Sequence, residues 1–293
     1  MTKILNFEII TTLLISALCF VLSETVQNIL GGLLVLSVGI VHGANDIEIL
    51  KKQSAATSRL NYSLYYILVV MAGVFAFFFL PAIALLCFVV FSAFHFGEQH
   101  WENRVKPTKH STFFYFCYGA LIFSLLFFFH QQSVQEVVFT ITAFYLPSPI
   151  FLGLVSISTV LTLSTGYLLS SVRSLLFLEI LLLLLLALLF ATSTLILAFG
   201  FYFAVWHSFP SLKSQFSYLY TKQSIMGNIK SYLKESYLYW GAAILGLTGV
   251  YIWVDFAENY VLPLFFSFLA AITFPHVFVM HWMFQSKKNK SSS

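Results

Sequence analysis

The residues from Ser174 to Leu212 form a run of 39 with a single charged side chain, Glu179. A helix rises about 1.5 Å per residue and a bilayer core is about 30 Å thick, so ~20 apolar residues cross it once. The run is too long for one crossing and right for a hairpin, with its break expected near Ala191-Thr192-Ser193-Thr194. A chain with such a segment folds in lipid, where backbone polar groups must be satisfied inside helices. Composition agrees. Of 293 residues, 59% are hydrophobic and 9% charged, against about 25% charged in an ordinary soluble domain, and mean hydropathy is +0.89. A water-soluble enzyme is excluded, and no nucleic-acid partner is expected.

Apolar stretches of spanning length recur along the chain, at approximately 6–23, 29–49, 62–80, 82–100, 112–130, 149–170, 174–193, 195–212, 237–254 and 261–283. Pro81 divides the long run from Asn61 to His100, because proline cannot continue a helix ladder. Residues 137–148, beside the Pro147-Ser148-Pro149 break, are apolar but too short to span, which fits a re-entrant or interfacial segment. The first stretch follows Lys3 and resembles a signal sequence. No small-x-small cleavage site follows it, and Leu18 before Cys19 spoils a lipoprotein site, so an uncleaved first span is expected. Cys19, Cys87 and Cys117 all lie in apolar runs without CxxC spacing, the pattern of buried thiols. The expected fold is all-α: one integral membrane domain over residues 1–293, a polytopic transmembrane helical bundle of about ten spans.

The basic residues orient it. With both termini cytoplasmic, the inner segments hold Lys3, then Lys51, Lys52 and Arg59, then Arg104, Lys106 and Lys109. Arg173 follows, then Lys213, Lys222, Lys230 and Lys234, and finally Lys287, Lys288 and Lys290. Those are all 15 Lys and Arg, while the outer connections carry Glu24, Glu136, Asp255 and Glu258. Basic residues are retained on the cytoplasmic side of membranes, so a multi-pass protein of the cell (inner) membrane with both ends inside is expected.

Eight histidines are distributed over this topology. His110 falls in a cytoplasmic loop and His130 at the outer end of the fifth span; the other six fall on spans running from outside to inside. From His42 to Lys51 is nine residues, from His95 to Arg104 nine, from His207 to Lys213 six, and from His276 to Lys287 eleven. At helical rise these four imidazoles sit roughly 9–16 Å above the cytoplasmic edge, near mid-membrane. His100 and His281 lie closer to the interface. A lone intramembrane histidine is usually a satisfied polar group between helices. Four at one depth on four parallel spans point to a common metal site, because polar groups in hydrocarbon are costly and mark function.

Acidic residues surround the layer. Asp46 follows His42 by four and Glu98 follows His95 by three, placing each on the helix face of its histidine. Such a carboxylate can receive the second ring N–H of a metal-bound imidazole and orient it; this role is expected of Asp46, whereas Glu98 equally well reaches the interface. Imidazole suits zinc, copper and iron, and thiolates are missing near the layer. Di-iron hydroxylases need HxxxH and HxxHH repeats, whereas His95/His100 and His276/His281 are five apart and point to different faces. A mononuclear all-histidine site fits better.

The segments Val41-His42-Gly43-Ala44-Asn45-Asp46, Ser92-Ala93-Phe94-His95-Phe96-Gly97, Trp206-His207-Ser208 and Phe274-Pro275-His276 resemble signatures of the Brp/Blh-type β-carotene 15,15′-dioxygenases of bacteria and archaea. Each is short, but the four stand in the right order from the second span to the last. The resemblance implies oxygen-dependent cleavage of the central double bond of β-carotene, with histidine-bound Fe(2+), giving two molecules of retinal that supply a microbial rhodopsin. One feature departs from the pattern. Many members carry a second histidine four residues after the one matching His207, and here that position is Ser211. His276, at matching depth, is therefore taken as fourth ligand beside His42, His95 and His207.

Aromatic residues make up 18% of the chain, enough to line a slot for a flat polyene, although lipid-facing Phe and interfacial Tyr account for most of them. Phe94, Phe96, Tyr202, Trp206 and Phe209, beside the histidines, are the expected substrate neighbours. β-Carotene is a rod about as long as the hydrocarbon core is thick, so a spanning molecule entering from lipid would place its central bond near the histidine layer. Two rivals remain at this stage: a membrane haem or electron-transfer protein using two histidines as axial ligands, and a non-enzymatic carrier of carotenoid or retinal.

Overall fold

The computed structural model describes residues 3–53, 59–105, 108–220, 224–254 and 261–291. Of the charges used to orient the chain, Lys106, Lys222, Asp255 and Glu258 lie outside them. The described residues are helical, with no strand among them. In chain order the helices are α1 (Lys3–Leu18), α2 (Glu24–Leu34), α3 (Asp46–Gln53), α4 (Arg59–Phe79), α5 (Pro81–Trp101), α6 (Lys109–Phe129) and α7 (Gln131–Thr142). They continue as α8 (Pro149–Leu168), α9 (Ser170–Arg173), α10 (Leu176–Thr192), α11 (Leu195–Phe201), α12 (Phe209–Leu219), α13 (Ile225–Val254) and α14 (Val261–Ser291). Two π-helical segments interrupt the series, at Val35–Gly39 and Tyr202–Ser208.

Six segments among the described residues are long and apolar enough to cross a membrane: Asn61–Phe79, Pro81–Trp101, His110–Phe129, Pro149–Leu168, Leu195–Leu219 and Val261–Lys287. Asn6–Leu18 and Leu176–Thr192 are shorter apolar helices. The outward faces are those of a membrane protein: Phe78 is 81% exposed and Leu168 79%, which only hydrocarbon tolerates over so many neighbouring side chains.

The stretch 29–49, read from hydropathy as one span, is not one helix. It runs through α2 and the first π-segment, unwinds at His42–Asn45, and resumes as α3. Beyond α12, the segment read as a cytoplasmic connection up to residue 236 is largely helical, because α13 already begins at Ile225.

Internal contacts group the chain into two compact units, each assembled from three pieces. The first comprises Met1–Val35, Ser92–Glu136 and Tyr145–Pro210. Here α6 packs on α8, α2 on α11 and α1 on α10. Close approach is made possible by glycine. A methyl group at Gly97 would overlap the carbonyl of Tyr115, and one at Gly119 the carbonyl of Ala93, so α5 and α6 cross backbone against backbone, the small-residue packing that holds helices together in lipid. Gln27 joins two turns: its Nε2 donates to the carbonyls of Cys19 (3.2 Å) and Leu22 (3.1 Å), and its Oε1 accepts from the Thr194 N–H (2.9 Å).

The second unit comprises Leu36–Phe91, Val137–Phe144 and Ser211–Ser293. Here α14 packs on α4 and α3. Gly73 lies against Phe274, and Phe274 also meets Phe77 and Phe91. Ile49, Tyr218, Val279, Met280, Met283 and Phe284 form its buried apolar cluster.

Candidate metal centre

Three of the four histidines singled out in the sequence sit at irregularities of the helices that carry them. His42 follows the first π-segment and lies in the unwound turn. His207 lies inside the second, where the Phe209 N–H reaches back five residues to the Ala204 carbonyl and the Ser208 hydroxyl donates to the Phe203 carbonyl at 2.7 Å. Such π-insertions rotate the side chains that follow them and recur at functional sites. His276 follows Pro275 inside α14, and proline has no N–H to give the carbonyl four residues before it.

All four imidazoles are buried. In the second unit, His42 and His276 meet edge to face, with ring centroids 4.7 Å apart and planes at 87°. In the first unit, His95 and His207 meet in the same way, at 4.8 Å and 76°. Each unit thus brings together two histidines from distant parts of the chain, one pair bridging α14 and the His42 turn, the other bridging α5 and the second π-segment.

The protons of the second-unit pair can be assigned from their partners. Nδ1 of His42 lies against the Gly39 carbonyl, which can only accept, so Nδ1 carries the proton and the lone pair sits on Nε2. Nδ1 of His276 lies 3.0 Å from both oxygens of the Asp46 carboxylate, which puts a proton on Nδ1 here as well. In each ring Nε2 is therefore the nitrogen that a transition metal would use, with the imidazole held from behind through Nδ1. The Tyr66 hydroxyl of α4 donates to Asp46 Oδ2 at 2.9 Å, fixing the carboxylate in turn. Asp46 does meet a histidine ring nitrogen, but the histidine is His276. Sharing a helix face with His42 required a continuous helix from 42 to 46, and the chain unwinds there.

His100 is turned to Glu179 (3.1 Å) and stacks on Tyr118 at 4.8 Å. Glu179, the lone charge of the long apolar run, also accepts from Arg104 (2.6 Å) and Tyr118 (3.0 Å). Glu98 is buried, His281 and His130 are half-buried, and His110 is exposed. Ser211, where a histidine was noted as common, is fully buried and accepts from Gln215 Nε2 at 3.2 Å.

Among the aromatic residues, Phe96 meets a histidine: its ring centre is 4.4 Å from that of His207, and it stacks on Phe123. Tyr202 is buried beside Phe96 at 5.5 Å, and Phe94 is half-buried. Trp206 turns its indole N–H to Thr12 of α1 (3.0 Å), and Phe209 is 41% exposed and meets Phe7. Sequence reasoning missed Phe203, which lies parallel to His207 at 5.5 Å and 9°; its position four residues before His207 was the available signal. It also missed Tyr66, whose helix has nothing in sequence to link it to Asp46.

These features define a polytopic membrane protein with paired, buried histidines, a donor set suited to a transition metal. A family model for beta-carotene 15,15′-dioxygenase matches residues 33–284, and the chain belongs to that family. No curated protein and no solved structure matches it.

Proposed function

We propose that the protein is an iron-dependent oxygenase of the cell membrane that cleaves β-carotene at its central double bond, yielding two molecules of all-trans-retinal. The observation that carries this reading is the pair of buried imidazoles, His42 and His276, whose Nδ1 atoms are held by Gly39 and Asp46, in a chain of the β-carotene dioxygenase family. His95 and His207 supply the other two nitrogens, as the resemblance of the segments around them to the family's signatures implies. Fe(2+) held there would supply the activation of O2 that organic side chains cannot perform.

The chain's own residues do the rest. Asp46 and Tyr66 keep His276 in one tautomer and one orientation. Phe96, Phe203 and Phe123 make an apolar wall beside His207 that keeps water from the polyene and presents flat faces to it. No general acid or base is required: one β-carotene and one O2 contain the atoms of two retinals. The product, apolar and released into lipid, is suited to pass to a microbial rhodopsin.

The test is turnover by purified protein reconstituted with Fe(2+), β-carotene and air. Two retinals per β-carotene are expected. Chelation and anaerobic conditions should each stop the reaction, and Zn(2+) should not restore it, because zinc has no second oxidation state. A longer apocarotenal as the main product, or full turnover with zinc, would overturn the reading. A Soret band in the purified protein would point to haem instead, and unchanged bound pigment under oxygen to a carrier.

A further inference from the structure

In a continuous helix the His42 carbonyl would receive the N–H of Asp46. Here that N–H goes to Gly43 (3.3 Å), and the His42 carbonyl receives side chains. Gln215 Nε2 donates to it at 2.8 Å, and the Tyr232 hydroxyl lies 2.9 Å from it. The same hydroxyl is 3.1 Å from the Val41 carbonyl and 2.8 Å from Gln215 Oε1, so three acceptors lie within reach of its one proton. Asn45, at the other end of the turn, donates from Nδ2 to the Tyr232 backbone carbonyl at 3.1 Å. Gln215, Tyr232 and Asn45 are all buried, at 0%, 1% and 0% exposure.

Unwound backbone within a membrane protein persists only where other groups satisfy it. Tyr232 and Gln215 do so at the turn that carries His42 at one end and Asp46 just beyond the other. We propose that Tyr232 and Gln215 are positioning residues for the metal centre: they hold the His42–Asn45 turn open, and through it set the placement of His42 and of the carboxylate on His276. This rests on the reading of His42 and His276 as metal ligands. Tyr232 comes from a segment whose lysines, Lys230 and Lys234, mark it as cytoplasmic in sequence, so the site is completed by a residue that no hydropathy argument would place there.

The experiment compares Tyr232→Phe, Gln215→Met and the double variant with wild type, by Fe(2+) titration and by hydrogen–deuterium exchange over residues 40–50. Tyr220→Phe, which removes a hydroxyl bonded to Glu235 one turn along α13 from Tyr232, controls for general loosening of the contacts between this helix and its neighbours. Iron affinity should fall roughly 10–100-fold in the double variant, the range for groups that support metal ligands, less in each single variant, and not in Tyr220→Phe. Exchange over 40–50 should quicken in the same order. Wild-type affinity together with unchanged exchange in the double variant would overturn the inference. If the double variant does not fold, the single variants decide by the same two readouts. If wild type itself binds no iron, the ligand reading fails, and with it the inference about the metal centre; exchange would then still accept or reject Tyr232 and Gln215 as the supports of the turn.

Discussion

Both carboxylate oxygens of Asp46 lie 3.0 Å from Nδ1 of His276, across 230 residues of sequence. The carboxylate is buried and takes a further hydrogen bond from Tyr66, so its charge is held where the imidazole can use it. Replacing it with Asn keeps the shape and removes the charge. Asp46→Asn is expected to weaken iron binding roughly 10–100-fold, with a smaller loss for Tyr66→Phe. Iron titration of folded, monodisperse protein checks both; equal affinity in Asp46→Asn and wild type would reject the role.

Alanine at His42, His95, His207 or His276 should each abolish iron retention and carotenoid cleavage while leaving membrane insertion intact. His110→Ala and His130→Ala should leave both unchanged. His276 is the discriminating position, since Ser211 is committed to Gln215. Iron content by elemental analysis beside retinal yield reads the result, and full activity in His276→Ala would remove it from the ligand set.

Reporter fusions after Lys52, Lys109, Lys222 and Lys290 should all report cytoplasmic, and fusions near Glu136 and Glu258 external. A cytoplasmic signal at Glu136 would break the ten-span topology and the common depth of the histidines.

The crossing of α5 and α6 leaves no room for a side chain at Gly97 or Gly119. Alanine at either position should cost about 1–3 kcal/mol, the usual cost of overpacking, and should displace His95, two residues from Gly97. Thermal unfolding in detergent, with iron affinity alongside, tests this; a variant of unchanged stability would show that the helices can part freely.

Glu179 joins α10 to Arg104 and His100 of the α5 end and to Tyr118 of α6. Removing one partner of a buried pair costs roughly 3–5 kcal/mol, and because the Arg104 side chain is 32% exposed the lower end applies. Glu179→Leu should therefore lower thermal stability clearly, yet leave the metal affinity of the protein that remains folded near wild type.

Hydropathy and charge over windows of about 20 residues were enough to establish a helical membrane protein, because the cost of placing a residue in lipid is local and adds along the chain. Spacing to the next basic residue offered His42, His95, His207 and His276 as candidates, and four short segments were enough to indicate the family. The pairings were not legible. Which histidine Asp46 would orient depended on whether the chain stays helical between 42 and 46, and it does not, because Tyr232 and Gln215 supply the donors that an unwound turn needs. Phe203 and Tyr66 entered for the same reason. Helical periodicity says which residues share a face, whereas the neighbour that this face meets is decided by packing between segments far apart in sequence, and that packing exists only once the tertiary structure has formed.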